Sequence, residues 1–229
     1  MKLLMLFMLI SSTLLHAAEY AESTVEMALK KVSEHVYYVQ GAAGIATDNE
    51  GFISNATAVV TDDGVIIIDA LGSPSLAAKF LSLLREVTDK PISKVIVTHY
   101  HADHIYGLQL FKDLGAEVIG PVGYQDYLDS PVAEERLEER RFSLSPWVND
   151  ETRLVRPDRV ITVDEKFSFG GVDFAIHLHG QAHSDGDLSL LVKDDAVLIS
   201  GDIIFEGRVP FTGGSDTARW LKVLNNLDT

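Results

Sequence analysis

Short apolar runs separated by polar turns fill most of the chain, and their period alternates between that of a strand and that of a helix. Residues 36–39 (Val-Tyr-Tyr-Val) read as a strand. Residues 56–61 and 65–69 read as two more, joined by Asp62-Asp63-Gly64, a hairpin signal. From Ser73-Pro74 the apolar positions Ala77, Phe80, Leu81 and Leu84 follow helical spacing, with Pro74 suited to a first turn. Residues 94–98 (Lys-Val-Ile-Val-Thr) form an unbroken β-rich run of the kind buried inside layered α/β sheets. A helix is expected over 105–114, stopped by Gly115, and a strand over 117–120. Residues 131–141 are a charge-dense helix whose mixed signs predict a solvated face. Strands are expected at 160–163, 167–169, 172–179, 188–192 and 196–200, with turns at Gly170-Gly171 and Asp194-Asp195. A last helix over 217–227 begins behind Ser215 and Asp216 as caps. Two β-rich halves follow each other with no linker, which predicts one α/β domain.

The first 18 residues stand apart. Lys2, an apolar stretch from Leu3 to Leu15 and Ala17-Ala18 before Glu19 read as a secretory signal peptide, too short to span a bilayer. The expectation is an exported chain, periplasmic or secreted, with residues 19–229 as its domain and no lasting membrane insertion. The 229 residues are 46% hydrophobic, enough for a substantial core. Nineteen Lys and Arg against 34 Asp and Glu leave a net charge of -15, which repels nucleic-acid backbones and anionic membranes and favours a small-molecule substrate. There is no cysteine, so disulfides, thiol nucleophiles and sulfur-ligated metals are excluded. Any metal must be held by histidine and carboxylate.

Such a set exists. Thr98-His99-Tyr100-His101-Ala102-Asp103-His104 places three histidines and an acid directly after a buried strand. His99 and His101, two apart, point the same way in an extended segment, while Asp103 and His104 turn toward a second position. Imidazole suits zinc, and zinc lowers the pKa of a bound water toward 7. This spacing fits two adjacent metals better than one.

The His-x-His-x-Asp-His pattern resembles the signature of the metallo-β-lactamase-fold superfamily. Three further stretches resemble that family in the same order: residues 65–69 ending in Asp69, residues 180–187 (Gly-Gln-Ala-His-Ser-Asp-Gly-Asp) and Ser200-Gly201-Asp202. The resemblance implies a four-layer αβ/βα sandwich. It implies that His99, His101 and His183 hold a first divalent metal and that Asp103, His104 and Asp202 hold a second, with Asp202 touching both. Zinc is the expected ion. It further implies that a hydroxide between the metals attacks a carbonyl while Asp103 orients it and shuttles its proton, and that Asp69 supports a ligand.

The family adds a histidine in a Gly-His-Gly context near its C-terminus, whereas this sequence has none after His183. The chain is therefore expected to be a C-terminally incomplete copy that lacks the last strand and loop. Asp202 in place of cysteine is similar to glyoxalase-II-like thioester hydrolases. Residues 50–55 together with 182–187 are similar to exported SoxH-like or quinoprotein-relay zinc metallohydrolases. The resemblance thus implies an exported metal-dependent hydrolase acting on a thioester or other ester first and a β-lactam second. A non-catalytic metal-binding accessory protein on the same scaffold is the alternative from another class. His177 and His179 share one strand face and are expected to be structural or to support a ligand from behind, and His35 is assigned no role.

Overall fold

The computed structural model describes residues 20–227, so the expected signal peptide lies outside the described residues. Seven strands form the first sheet in sequence order: β1 (Leu29–Lys31), β2 (Val36–Val39), β3 (Ala56–Thr61), β4 (Gly64–Ile68), β5 (Ile92–Ile96), β6 (Glu117–Pro121) and β7 (Arg159–Ile161). The first four run antiparallel, and β4 through β7 are parallel. A second, antiparallel sheet has the order β11 (Val197–Ile199), β10 (Asp187–Val192), β9 (Val172–Gly180), β8 (Glu165–Phe169). Helices α1 (Pro74–Arg85), α2 (Ala102–Ile105), α3 (Leu108–Asp113), α4 (Val122–Leu128), α5 (Pro131–Ser143) and α6 (Thr217–Asn225) complete the described chain.

The layering follows from side-chain alternation. On β4, Val65 and Ile67 face the helices, packing with Leu76, Phe80 and Leu84 of α1 and Phe111 of α3. Ile66 and Ile68 face the other way, onto Phe174, Ile176, Leu188 and Leu190 of the second sheet. A strand buried on both faces must be apolar at every position, which is why 64–68 carries no polar side chain. Each such side chain contributes about 1.5–3 kcal/mol through burial. Among the described residues, α6 is the helix beyond the second sheet. It docks through Trp220, whose indole N–H donates to the Ile203 carbonyl at 2.9 Å. The αβ/βα sandwich expected from the sequence is the fold observed.

Several boundaries differ from the sequence reading. The expected helix at 105–114 is split between α2 and α3 around Gly107, whose N–H leaves the helix ladder for the Leu71 carbonyl at 3.1 Å, and an added Cβ there would meet the Ala70 carbonyl oxygen. Strand β5 ends at Ile96, and Thr98 instead turns its backbone N–H to Asp69. Helix α1 begins as expected, with the Ser73 hydroxyl accepting from Leu76 N–H at 3.1 Å and Pro74 in the first turn.

Candidate metal centre

Four strand ends meet on one side of the sandwich: Asp69 follows β4, residues 98–101 follow β5, His183 follows β9 and Asp202 follows β11. Side chains can converge there because the chain has left the ladder. Leu188 N–H donates to the Thr98 carbonyl at 3.0 Å and ties the second sheet to the first at this point. Gly123 and Gly186 meet backbone to backbone, since a Cβ on either would stand 2.7 Å from the other's Cα. That contact seats the His183 loop against α4. Gly201 adopts φ +52° and packs so close to Thr98 that an added Cβ would lie 2.7 Å from the Thr98 Cβ.

Asp69 organises the centre. Its backbone lies in the left-handed region at φ +61°, a cost of about 1 kcal/mol for a residue with a side chain. The turn aims its carboxylate inward, where Oδ1 accepts from Thr98 N–H at 2.8 Å. Oδ2 accepts from the Thr98 hydroxyl at 2.8 Å and from His104 Nδ1 at 2.7 Å. The Thr98 hydroxyl, its proton committed to Asp69, is an acceptor for His99 Nδ1 at 3.1 Å. Both rings are thus held by Nδ1 and turn Nε2 toward the centre, the orientation a metal needs.

Those nitrogens converge. His99 Nε2 lies 3.0 Å and His183 Nε2 lies 2.9 Å from His101 Nδ1. Asp202 Oδ2 is 3.5 Å from His183 Nε2. On the other side, His104 Nε2 is buried without a hydrogen-bond partner, 3.4 Å from Asp103 Oδ2 and 3.3 Å from Asp202 Oδ1. Two groups result, His99–His101–His183–Asp202 and Asp103–His104–Asp202, each with its ligand atoms within 4.8 Å of one another and both containing Asp202.

The electrostatics of the two groups are opposite. Burial, then the neighbouring rings of His104, His101 and His183, pushes the His99 pKa well down. Burial and His183 bring His101 to about 4, and burial lowers His183. All three pKa values lie below that of a free imidazole, which favours the neutral rings that ligate a metal. At His104 burial opposes charge, but the carboxylates of Asp69, Asp103 and Asp202 outweigh it and raise the pKa. Burial would likewise raise Asp103, yet His104 and then His101 hold its carboxyl below the usual carboxylate range. Converging neutral imidazoles on one side and a demand for positive charge on the other fit divalent cations. A nitrogen and carboxylate donor set without sulfur suits zinc, iron or manganese.

The centre floors a cavity of about 930 Å³. Its walls include Tyr100, Tyr127, Arg136, Arg140, Arg208 and Phe211. All six sequence-predicted site residues are brought together here. His177 and His179 are not: they meet Asp164 at 3.5 Å and Ser189 at 2.8 Å. Sequence reasoning missed the Thr98 hydroxyl as the link between Asp69 and His99, and Ser54, whose hydroxyl donates to the Asp103 carbonyl. It also missed the cavity arginines of α5, which an i, i+4 spacing in a charged helix could have flagged.

Residues 49–229 match the family described as "Metallo-beta-lactamase superfamily". The chain belongs to the metallo-beta-lactamase superfamily. It is 23% identical over 214 residues to a type 2 metallo-beta-lactamase of Elizabethkingia meningoseptica, covering 91% of this chain and 76% of that protein. It is 28% identical over 202 residues to an alkyl/aryl-sulfatase of Saccharomyces cerevisiae, covering 74% of this chain but only 29% of the sulfatase. Among solved structures, a metallo-beta-lactamase from Pontibacter korlensis superposes with a TM-score of 0.63 at 16% identity, covering 85% of this chain and 81% of that one. These relatives are hydrolases, and this chain is a metallo-beta-lactamase-superfamily hydrolase. Among the described residues no helix is long and apolar enough to cross a membrane.

Proposed function

We propose that the protein is an exported hydrolase that binds two divalent cations, zinc by preference, and cleaves a thioester or other carboxylic ester. The observation that carries this reading is the His104 Nε2 buried without a hydrogen-bond partner between Asp103 and Asp202, beside three converging imidazole nitrogens. His99, His101, His183 and Asp202 would hold one cation, and Asp103, His104 and Asp202 the other. Bound there, the cations would supply a nucleophilic hydroxide at neutral pH and stabilise the oxyanion of a carbonyl under attack.

The chain's own residues do the rest. Asp69 and Thr98 keep His99 and His104 in one tautomer and one orientation. Asp103, ionised at neutral pH and partly buried on the cavity floor, would orient the nucleophile and carry its proton to the leaving group. Tyr100 and Phe211 flank the His101 ring, at centroid distances of 5.1 and 5.8 Å, and give the cavity an aromatic wall beside the centre.

A β-lactam is the second substrate class, favoured by the relative of that name that covers 91% of this chain. The deciding experiment is metal content per chain of residues 19–229 after dialysis in metal-free buffer, followed by turnover of a glutathione thioester, an aryl ester, a chromogenic cephalosporin and an alkyl sulfate. About two metals and ester or thioester turnover sustain the proposal. Metal without turnover of any of the four means a metal-binding accessory protein. Sequencing the N-terminus of the exported protein checks cleavage after Ala18.

A further inference from the structure

Helix α5 looks, by composition, like a solvated ion-pair ladder, and most of it is. Arg141 pairs with Glu138 and donates to the carbonyls of Asn149 and Thr152. Arg136 pairs with Glu139 at 3.3 Å. Arg140 differs. It is half-buried and lines the cavity, and among the described residues its guanidinium has neither a carboxylate within ion-pair range nor a hydrogen-bond acceptor. Arg136 stands one turn away on the same face and lines the cavity too. Near them lies the buried Tyr106 hydroxyl, beside that of Tyr127. Burial and then Tyr127 raise the pKa of Tyr106, and the positive field of Arg140 and Arg136 opposes that rise. A half-buried guanidinium with no counter-charge is open to an anion, and its planar fork matches a carboxylate.

An apolar lane joins this place to the metal centre. The Tyr100 ring lies 5.1 Å from His101 and stacks on Tyr127 at 4.6 Å with an interplanar angle of 13°. The Tyr100 hydroxyl is tethered to Asp185 at 3.3 Å, which fixes the ring. Val132 of α5 also lines the cavity. Two acids share the wall. Asp185 is engaged by Tyr100 and Gln181, and Asp126 is exposed and pairs with neither arginine.

We propose that Arg140, supported by Arg136, is a carboxylate-binding subsite, and that the substrate is an ester or thioester carrying a carboxylate on an apolar arm that lies along Tyr100 and Tyr127. This rests on the ester-hydrolase reading above. One water is consumed, the carbonyl C–O or C–S bond breaks, and the products are a carboxylic acid and an alcohol or thiol, one of which carries the second carboxylate away.

The test compares matched pairs in the metal-loaded protein. Monophenyl adipate is set against phenyl hexanoate, and 4-acetoxyphenylacetate against 4-methylphenyl acetate, in wild type, Arg140→Gln, Arg140→Lys and the exposed control Arg156→Gln. The expected result, in at least one pair, is a wild-type preference for the anion of about tenfold, seated in KM. Arg140→Gln abolishes that preference, Arg140→Lys restores part of it, and Arg156→Gln keeps it. No preference in wild type, or an equal loss on both members of each pair in Arg140→Gln, overturns the subsite. Calorimetric titration with hexane-1-sulfonate, with 1-hexanol as the neutral control, reads the subsite without turnover. Sulfonate binding that Arg140→Gln abolishes, with no ester cleaved, sustains the subsite and sinks the ester-hydrolase reading. Cleavage of all four esters without charge preference, and no sulfonate binding, does the reverse.

Discussion

At the β10–β11 turn, the side chain of Asp195 is 1% exposed and engages both oxygens: one accepts from the Ser33 hydroxyl and from His35 N–H at 2.9 Å, the other lies 2.6 Å from His35 Nδ1. At the opposite end of β10, the metal centre also buries histidine beside aspartate, but there His104 Nε2 faces two carboxylates with no hydrogen bond made. The first site is closed by its own residues and acts as a clasp between the N-terminal strands and the second sheet. The second is complete only when something positive enters. Residue type does not separate the two. What separates them is whether the polar atoms balance without a ligand.

The comparison breaks most sharply at Asp103. Asp103→Asn is expected to cut kcat/KM on the ester found to be a substrate by about 10²–10⁴-fold while thermal unfolding barely moves. An equal loss of Tm and activity would mean that Asp103 is as structural as Asp195. Next comes Asp69→Ala, which strands Thr98 N–H, the Thr98 hydroxyl and His104 Nδ1 in the core. Denaturant titration should show a loss of about 3–5 kcal/mol together with loss of bound metal.

The clasp predicts a smaller effect of a different kind. Asp195→Asn should cost about 1–3 kcal/mol at pH 7 and leave catalysis intact. Burial works against the charge of Asp195, but the hydrogen bonds from Ser33 and His35 prevail and hold its pKa below the usual carboxylate value. With the folded pKa depressed, its contribution is full above the unfolded value of about 3.9 and fades as pH falls through the folded one. The stability gap between wild type and Asp195→Asn should therefore close in acid. A gap that widened there would contradict the clasp. The smallest expected effect is a null: chelation should lower the Tm of both proteins equally, with coupling under about 0.5 kcal/mol, because the sites share no partner.

How much of this the sequence discloses depends on chain distance. His99, His101, Asp103 and His104 are legible because they are neighbours, and His183 and Asp202 because each sits in a motif at a strand end. His35 and Asp195 are 160 residues apart and join only through the packing of a turn, so no local pattern marks either. Strand β1 (Leu-Lys-Lys) is a polar edge strand without the apolar run that announces its neighbours, and α4 is a short helix opening directly from the proline that ends β6. The solvated face expected for α5 holds for Glu134, Glu135 and Glu138 but fails at Arg140, because only the tertiary fold brings that side of the helix to the cavity.

The carboxylate of Asp69 has a kinetic implication. Its bonds to Thr98 and His104 set the rings of His99 and His104 through protein contacts alone, so one ligand atom of each group is in register before any cation arrives. Mixed with zinc in a stopped-flow instrument, the apoprotein should load at a rate proportional to metal concentration, without the plateau that a slow rearrangement of the chain imposes. Freed of Asp69, the same rings must first find their orientation, and the plateau should appear.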